Sequence, residues 1–129
     1  MSQPAAKQGD RVTAIDMHLI QPPPPASPVL VPHPFSGILD GGLSSNVRIG
    51  GLPAATVGST ATNTPPHVPQ GGTFVQPPSN RGQIITGSGT VRINGKPAAR
   101  AGDTAMTCND PVDLPVGTVV AVCTVRIGG

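Results

Sequence analysis

Apolar residues along this chain alternate with polar ones, and no long stretch carries the i, i+3, i+4, i+7 stripe of an amphipathic helix. In Val47-Arg48-Ile49 and Val91-Arg92-Ile93 the apolar side chains stand at i and i+2 with an arginine between them. That spacing predicts short strands with Val and Ile on the buried face and Arg on the wet one. Gly50-Gly51 and Asn94-Gly95 follow, and both pairs suit the positive φ of a two-residue hairpin turn. Leu52-Pro53-Ala54-Ala55-Thr56-Val57 and Lys96-Pro97-Ala98-Ala99-Arg100-Ala101 then read as return strands. Proline near their start is tolerated because a missing donor matters least there, and Ala-Ala leaves room for a neighbouring unit to pack closely. Val119-Val120-Ala121-Val122-Cys123-Thr124-Val125 reads as a buried strand in which Cys123 is a small apolar filler. Valine is the commonest large apolar residue, which favours strands. The pattern predicts an all-β chain.

The phrase Pro-Ala-Ala-x-x-Gly occurs three times, beginning at Pro4, Pro53 and Pro97. The strand before it returns once more as Val125-Arg126-Ile127-Gly128-Gly129, so the chain starts inside one unit and ends inside the first strand of another. Units repeated at this spacing cannot bury an apolar face alone and must pack on each other, as a short solenoid or a closed threefold-like object. Gly9, Gly58 and Gly102 end the return strands. Asp10, Ser59 and Asp103 follow them and are suited to bonding backbone amides in a turn rather than to acid–base chemistry.

Composition sharpens this reading. A chain of 129 residues is expected to form one domain, residues 1–129, and with no Trp or Tyr and only Phe35 and Phe74 its core must be thin. Small chains of this kind lean on a further constraint, and a metal would serve. Seven prolines lie between Gln21 and Phe35, which predicts a loop or polyproline II segment there. A Pro-rich stretch also follows the second unit, at Thr64 to Pro69 and Gln76 to Pro78, so the loops belong to the architecture. The formal charge of +2 and the scattered basic residues argue against a nucleic-acid or anionic-membrane partner. No signal peptide is read at the start and no run of about eighteen apolar residues occurs, which places the chain in the cytoplasm unless a dedicated machine exports it. Cys108 and Cys123 are expected to be reduced.

The candidate chemistry lies in three histidines and one cysteine. His18 and His67 each follow their unit's glycine by nine residues, and Cys108 lies near the corresponding place in the third unit. If the repeats close around an axis, imidazoles and a thiolate converge there on a divalent metal, with His33 brought in by the Pro-rich loop. Spacing alone also accommodates ordinary hydrogen-bonded histidines, because no local zinc motif is present.

Val91-Arg92-Ile93-Asn94-Gly95-Lys96-Pro97-Ala98-Ala99-Arg100-Ala101-Gly102-Asp103 resembles the signature of the PAAR-repeat family, with weaker copies at Pro4 and Pro53 where Lys7, Thr56 and Ser59 replace the signature residues. The resemblance implies a small cone of β-hairpins with approximate threefold symmetry, stapled by one structural zinc ion through three His and one Cys, here His18, His33, His67 and Cys108. It implies a non-enzymatic tip on the trimeric spike, of the valine-glycine-repeat type, of a type VI secretion-like contractile injection machine. One tip per trimer, accompanying effector proteins and transient contact with a target membrane are implied as well. So is residence in the bacterial cytoplasm before firing. Two other readings compete: a small zinc-dependent hydrolase or toxin, against which four closed ligands and the lack of His-Glu-x-x-His argue, and an adaptor offering Pro22 to Pro25 to a polyproline-binding domain.

Overall fold

The repeated phrase folds into three short antiparallel hairpins. In the computed structural model, which describes residues 2–129, β4 (Arg48–Ile49) pairs with β5 (Leu52–Pro53) and β9 (Arg92–Ile93) with β10 (Lys96–Pro97). The third hairpin is made from the two ends of the chain, β1 (Ser2–Pro4) and β13 (Arg126–Gly128). The registers coincide: Arg48 lies opposite Pro53, Arg92 opposite Pro97 and Arg126 opposite Pro4. The two partial units are therefore one unit, split in sequence and joined in space. Gly50, Gly51, Asn94 and Gly95 all have positive φ, as a two-residue turn of this kind needs. Ile49, Ile93 and Ile127 are buried while the arginines beside them are exposed; Val91 and Val125 reach the surface.

Beyond the prolines the return strands do not continue along their own hairpins. Each Ala-Ala pair instead bonds to its neighbours. Ala6 N–H donates to Ala99 O at 3.0 Å, Ala99 N–H to Ala55 O at 3.1 Å, and Ala55 N–H to Ala6 O at 3.0 Å, which closes a ring of three peptides. A second ring runs from Ala101, Gln8 and Val57 N–H to Pro4, Pro53 and Pro97 O, each at 2.9 Å. Ala5, Ala54 and Ala98, with Ala6, Ala55 and Ala99, are fully buried, because only a methyl group fits where three backbones converge. Gly9, Gly58 and Gly102 then turn the chain with φ of +88°, +97° and +90°, a conformation that favours glycine. The turns are locked alike: Asp10 and Asp103 carboxylates and the Ser59 hydroxyl accept from the amides of Lys7, Arg100 and Thr56 at 3.0, 2.7 and 3.0 Å.

Past these turns the three units build a closed six-stranded barrel. Its hairpins are β2 (Arg11–Gln21) with β3 (Val29–Gly41), then β6 (Thr60–Asn63) with β8 (Arg81–Ile84), then β11 (Thr104–Thr107) with β12 (Leu114–Val120). β3 pairs with β6, β8 with β11, and β12 with β2, so no edge is left along the circuit. β7 (Thr73–Phe74) adds to the far end of β2. Leu39, Ile84 and Val119 fill equivalent places inside the barrel, with Val12, Ala61 and Ala105 beside them. No helix occurs among the described residues. The expected all-β stack of hairpins with pseudo-threefold repeats is what the chain forms.

Two local expectations are corrected. The passage from Gln21 to Phe35 is not loop throughout, since β3 begins at Val29 and includes Pro32 and Pro34. Met17 and Leu19 direct their amides away from β3, to Asn109 and Asp110. Pro32 and Pro34 face Met17 and Ile15 in the register, so their missing donors fall on the unpaired side of β3. The Val119–Val125 run is not one buried strand either. β12 ends at Val120, Val122 is 84% exposed, and the Cys123 thiol lies 3.1 Å from Val125 O.

Candidate metal centre

β2 and β3 extend well past the rest of the barrel, and period-two alternation decides what they point inward. On β2 the buried positions are Val12, Asp16, His18 and Ile20, and on β3 they are His33, Phe35, Gly37 and Leu39. His67 enters from the segment after β6, and Cys108 directly follows β11. The three imidazole rings meet, with centroids 5.5 Å apart for His18 and His33, 5.0 Å for His18 and His67, and 5.5 Å for His33 and His67. The structure thus gathers all four residues singled out in the sequence. It also brings in Asp16, which sequence reasoning missed. The donor atoms of Asp16, His18, His67 and Cys108 all lie within 4.8 Å of one another, and His33, whose ring centroid is 5.5 Å from those of His18 and His67, is not in that set. The signal that could have found Asp16 is its i, i+2 relation to His18 on one strand face.

Hydrogen bonds orient each donor. His33 places Nδ1 2.8 Å from Val31 O, which fixes the proton there and leaves Nε2 with a free lone pair. That Nε2 is buried and has no hydrogen-bond partner among the described residues. His18 Nε2 faces the Cys108 thiol at 3.7 Å. Its Nδ1 lies 3.4 Å from Asp110 Oδ2, near enough for attraction but out of line for a hydrogen bond. Asn63 takes the Ser36 amide on Oδ1 and turns its Nδ2 toward His67 Nδ1 at 3.3 Å, so His67 carries its proton on Nε2 and donates it to Asp16 Oδ2 at 2.8 Å. The two phenylalanines of the chain flank the group: Phe74 lies 5.9 Å from His18 and 5.6 Å from His33, and Phe35 lies 6.1 Å from His67. A surface cavity of about 330 Å³, lined among others by Asn63, Pro65 and Val68, reaches His33 and His67.

Burial shapes the electrostatics. Loss of water pushes the Cys108 thiol up to about 11, with the nearby Asp16 charge adding to the effect. Desolvation also holds His18 below its ordinary 6.5, against the pull of Asp110. Neutral imidazoles and a thiol that ionises only when a cation takes its proton's place are the donor set of a borderline-soft divalent ion. Unpaired Nε2 of His33, buried beside the other rings, is the specific defect that such an ion would repair. The residues fit a metal. Cys108 and Cys123 are both free.

A family model described as the PAAR motif matches residues 31–112 and again 75–129. The two matches together cover more than half of the chain, and their overlap follows from the internal repeat. No curated protein matches the chain significantly.

Proposed function

This chain belongs to the PAAR-motif family, and from that premise we propose that it is a non-enzymatic tip protein seated on the trimeric spike of a contractile injection machine of the type VI secretion kind. The observation that carries the reading is the closed ring Ala6–Ala99–Ala55 with its three matching hairpins. One polypeptide thereby presents threefold-related strands, the symmetry that the end of a trimeric β-helical spike presents. Val47, Val91 and Val125 occupy the same register position and are only partly covered, which suits a contact made of apolar side chains and backbone bonds. Ala54 and Ala98 lie wholly inside the chain and serve the fold, not the contact.

At the other end, His18, His33, His67 and Cys108 would hold the metal, in this reading one zinc ion. The ion supplies a cross-link between β2, β3 and the segments after β6 and β11, stiffening the part of the chain that meets the target envelope. The chain's own residues prepare that link: Val31 fixes the tautomer of His33, Asp110 steers His18, and the two phenylalanines limit access of water. In the same proposal the protein resides in the bacterial cytoplasm until the machine exports it, with effectors as further passengers.

Light scattering of the chain reconstituted with a trimeric spike of the valine-glycine-repeat type tests this. One chain per trimer, with Val91→Asp weakening the complex, is expected. Three chains per trimer, or no complex, would overturn it.

A further inference from the structure

Asp16 is a fully buried carboxylate set among atoms suited to bind a metal, and its two oxygens are treated differently. Oδ1 is pinned from the side by the Thr107 hydroxyl at 2.6 Å and the Asn109 amide at 3.5 Å. Oδ2 turns into the cluster, where it accepts from His67 Nε2 at 2.8 Å and from the Cys108 thiol at 3.4 Å. A carboxylate with one oxygen held by outer partners and the other aimed at the donors is the arrangement of a monodentate ligand.

An ion bound in the cluster changes the surroundings of Oδ2. Both of its donors are lost, because His67 Nε2 and Cys108 Sγ can bind a cation only after giving up their protons. Asp16 pairs with no Lys or Arg among the described residues. Oδ2 would then be a buried carboxylate oxygen without a donor, facing a thiolate. Such a group is costly to bury unless something positive takes the donors' place. With no Lys or Arg beside Asp16 among the described residues, a bound ion is what would fill that role. Two ligands of one small divalent ion stand about 3.3–3.8 Å apart; the 3.4 Å contact of Oδ2 to Cys108 already lies in that range, and the 2.8 Å contact to His67 is a hydrogen bond that opens by about 0.5 Å when the ion replaces its proton.

We propose that Asp16 is a metal ligand, bound through Oδ2, so that the ion is held by a carboxylate as well as by the thiolate and the imidazoles. This rests on the metal reading of the site given above. Within it, Thr107 and Asn109 are positioning residues that act through Asp16, and the coordination sphere is harder and more anionic than one of three imidazoles and one thiolate.

Cobalt(II) is the probe, because its visible absorption reports the number and type of ligands. The full-length protein is titrated with cobalt(II) and then with zinc in competition, beside Asp16→Asn. The expected result is a changed pattern of visible bands in Asp16→Asn with the sulfur-to-cobalt absorption retained. Zinc affinity should fall by more than the roughly 10–100-fold that loss of an outer-shell partner costs. An unchanged cobalt spectrum in Asp16→Asn overturns the proposal, whatever the affinity. Should Asp16→Asn not fold by circular dichroism, Asp16→Glu, with its longer reach, must also alter the spectrum, and an unaltered one has the same meaning. A wild-type protein that binds neither ion overturns the metal reading itself, and this proposal with it.

Discussion

At the hairpin tier, three copies of one phrase meet through backbone hydrogen bonds that repeat at 3.0, 3.1 and 3.0 Å, and the side chains there are methyl groups. At the far end of β2 and β3, the groups that meet are side chains of different kinds, Asp16, His18, His33, His67 and Cys108. The first region satisfies every backbone group named above within the protein. The second leaves two imidazole nitrogens, His18 Nδ1 and His33 Nε2, buried without a hydrogen-bond partner among the described residues. Repetition, then, supplies rigidity where identical residues can face an axis. At the candidate metal site the symmetry is broken, because the first unit contributes Asp16, His18 and His33, the second His67 and the third Cys108.

The comparison breaks most completely at the ring. Ala55→Asp places a carboxylate where no water or cation reaches, at a residue with no exposed surface. It should cost about 5 kcal/mol or more and leave no cooperative melt in circular dichroism. A normal melt in this variant would mean that the ring is not the foundation of the fold. Metal removal comes next. A ligand at a thousandfold excess over its Kd contributes about 4 kcal/mol, so chelation, or Cys108→Ser, should lower the Tm by roughly 10–20 °C while keeping the β-sheet spectrum.

How much of this was legible before the structure depends on whether neighbours in sequence decide it. The hairpins were legible, because Val-Arg-Ile, a Gly-Gly or Asn-Gly turn and Pro-Ala-Ala are local signals. So was the meeting of His18, His67 and Cys108, through their places in the repeat. Asp16 was not, although it shares a strand face with His18, because the equivalent counts in the other units fall on Pro65 and Asn109, so the repeat does not mark it. The strand at Pro32 and Pro34 was hidden for another reason. Whether a proline is tolerated depends on which side of the strand carries a partner, and that side of β3 is open at Pro32 and Pro34 because β6, from another unit, pairs only with Gly37 to Gly41. The Val119–Val125 run misled because the chain must leave the barrel after Val120 to reach its hairpin with β1.

A finer comparison concerns the three turns. Asp10→Ala and Asp103→Ala each remove the acceptor for one amide and one cationic side chain, Lys7 or Arg100. Urea denaturation should show a loss of about 1–3 kcal/mol in each, similar in the two if the turns are equivalent. A cost confined to Asp103→Ala would show that the unit with the full signature carries more than its share.

The smallest effect is one of pH and belongs to the metal-free site. Folded His18 is held below 6.5 by burial, so the unfolded chain accepts a proton that the folded chain resists. Its contribution to stability is complete above pH 6.5 and falls as the pH is lowered from 6.5 through the depressed folded value. Urea midpoints of the chelated protein at pH 7.5 and 5.5 should differ more in the wild type than in His18→Gln. Equal differences would assign the slope to other groups.

Amide hydrogen exchange at Ala6, Ala55 and Ala99 tests the central claim, that one chain closes into a threefold ring, more directly than any of these. The three amides should show protection factors alike within about tenfold, at the level of global unfolding, and chelation should shift them together. Ala6 lies close to one end of the chain, and protection there a hundredfold or more below that of Ala55 would show that the ring opens at its seam and contradict the account.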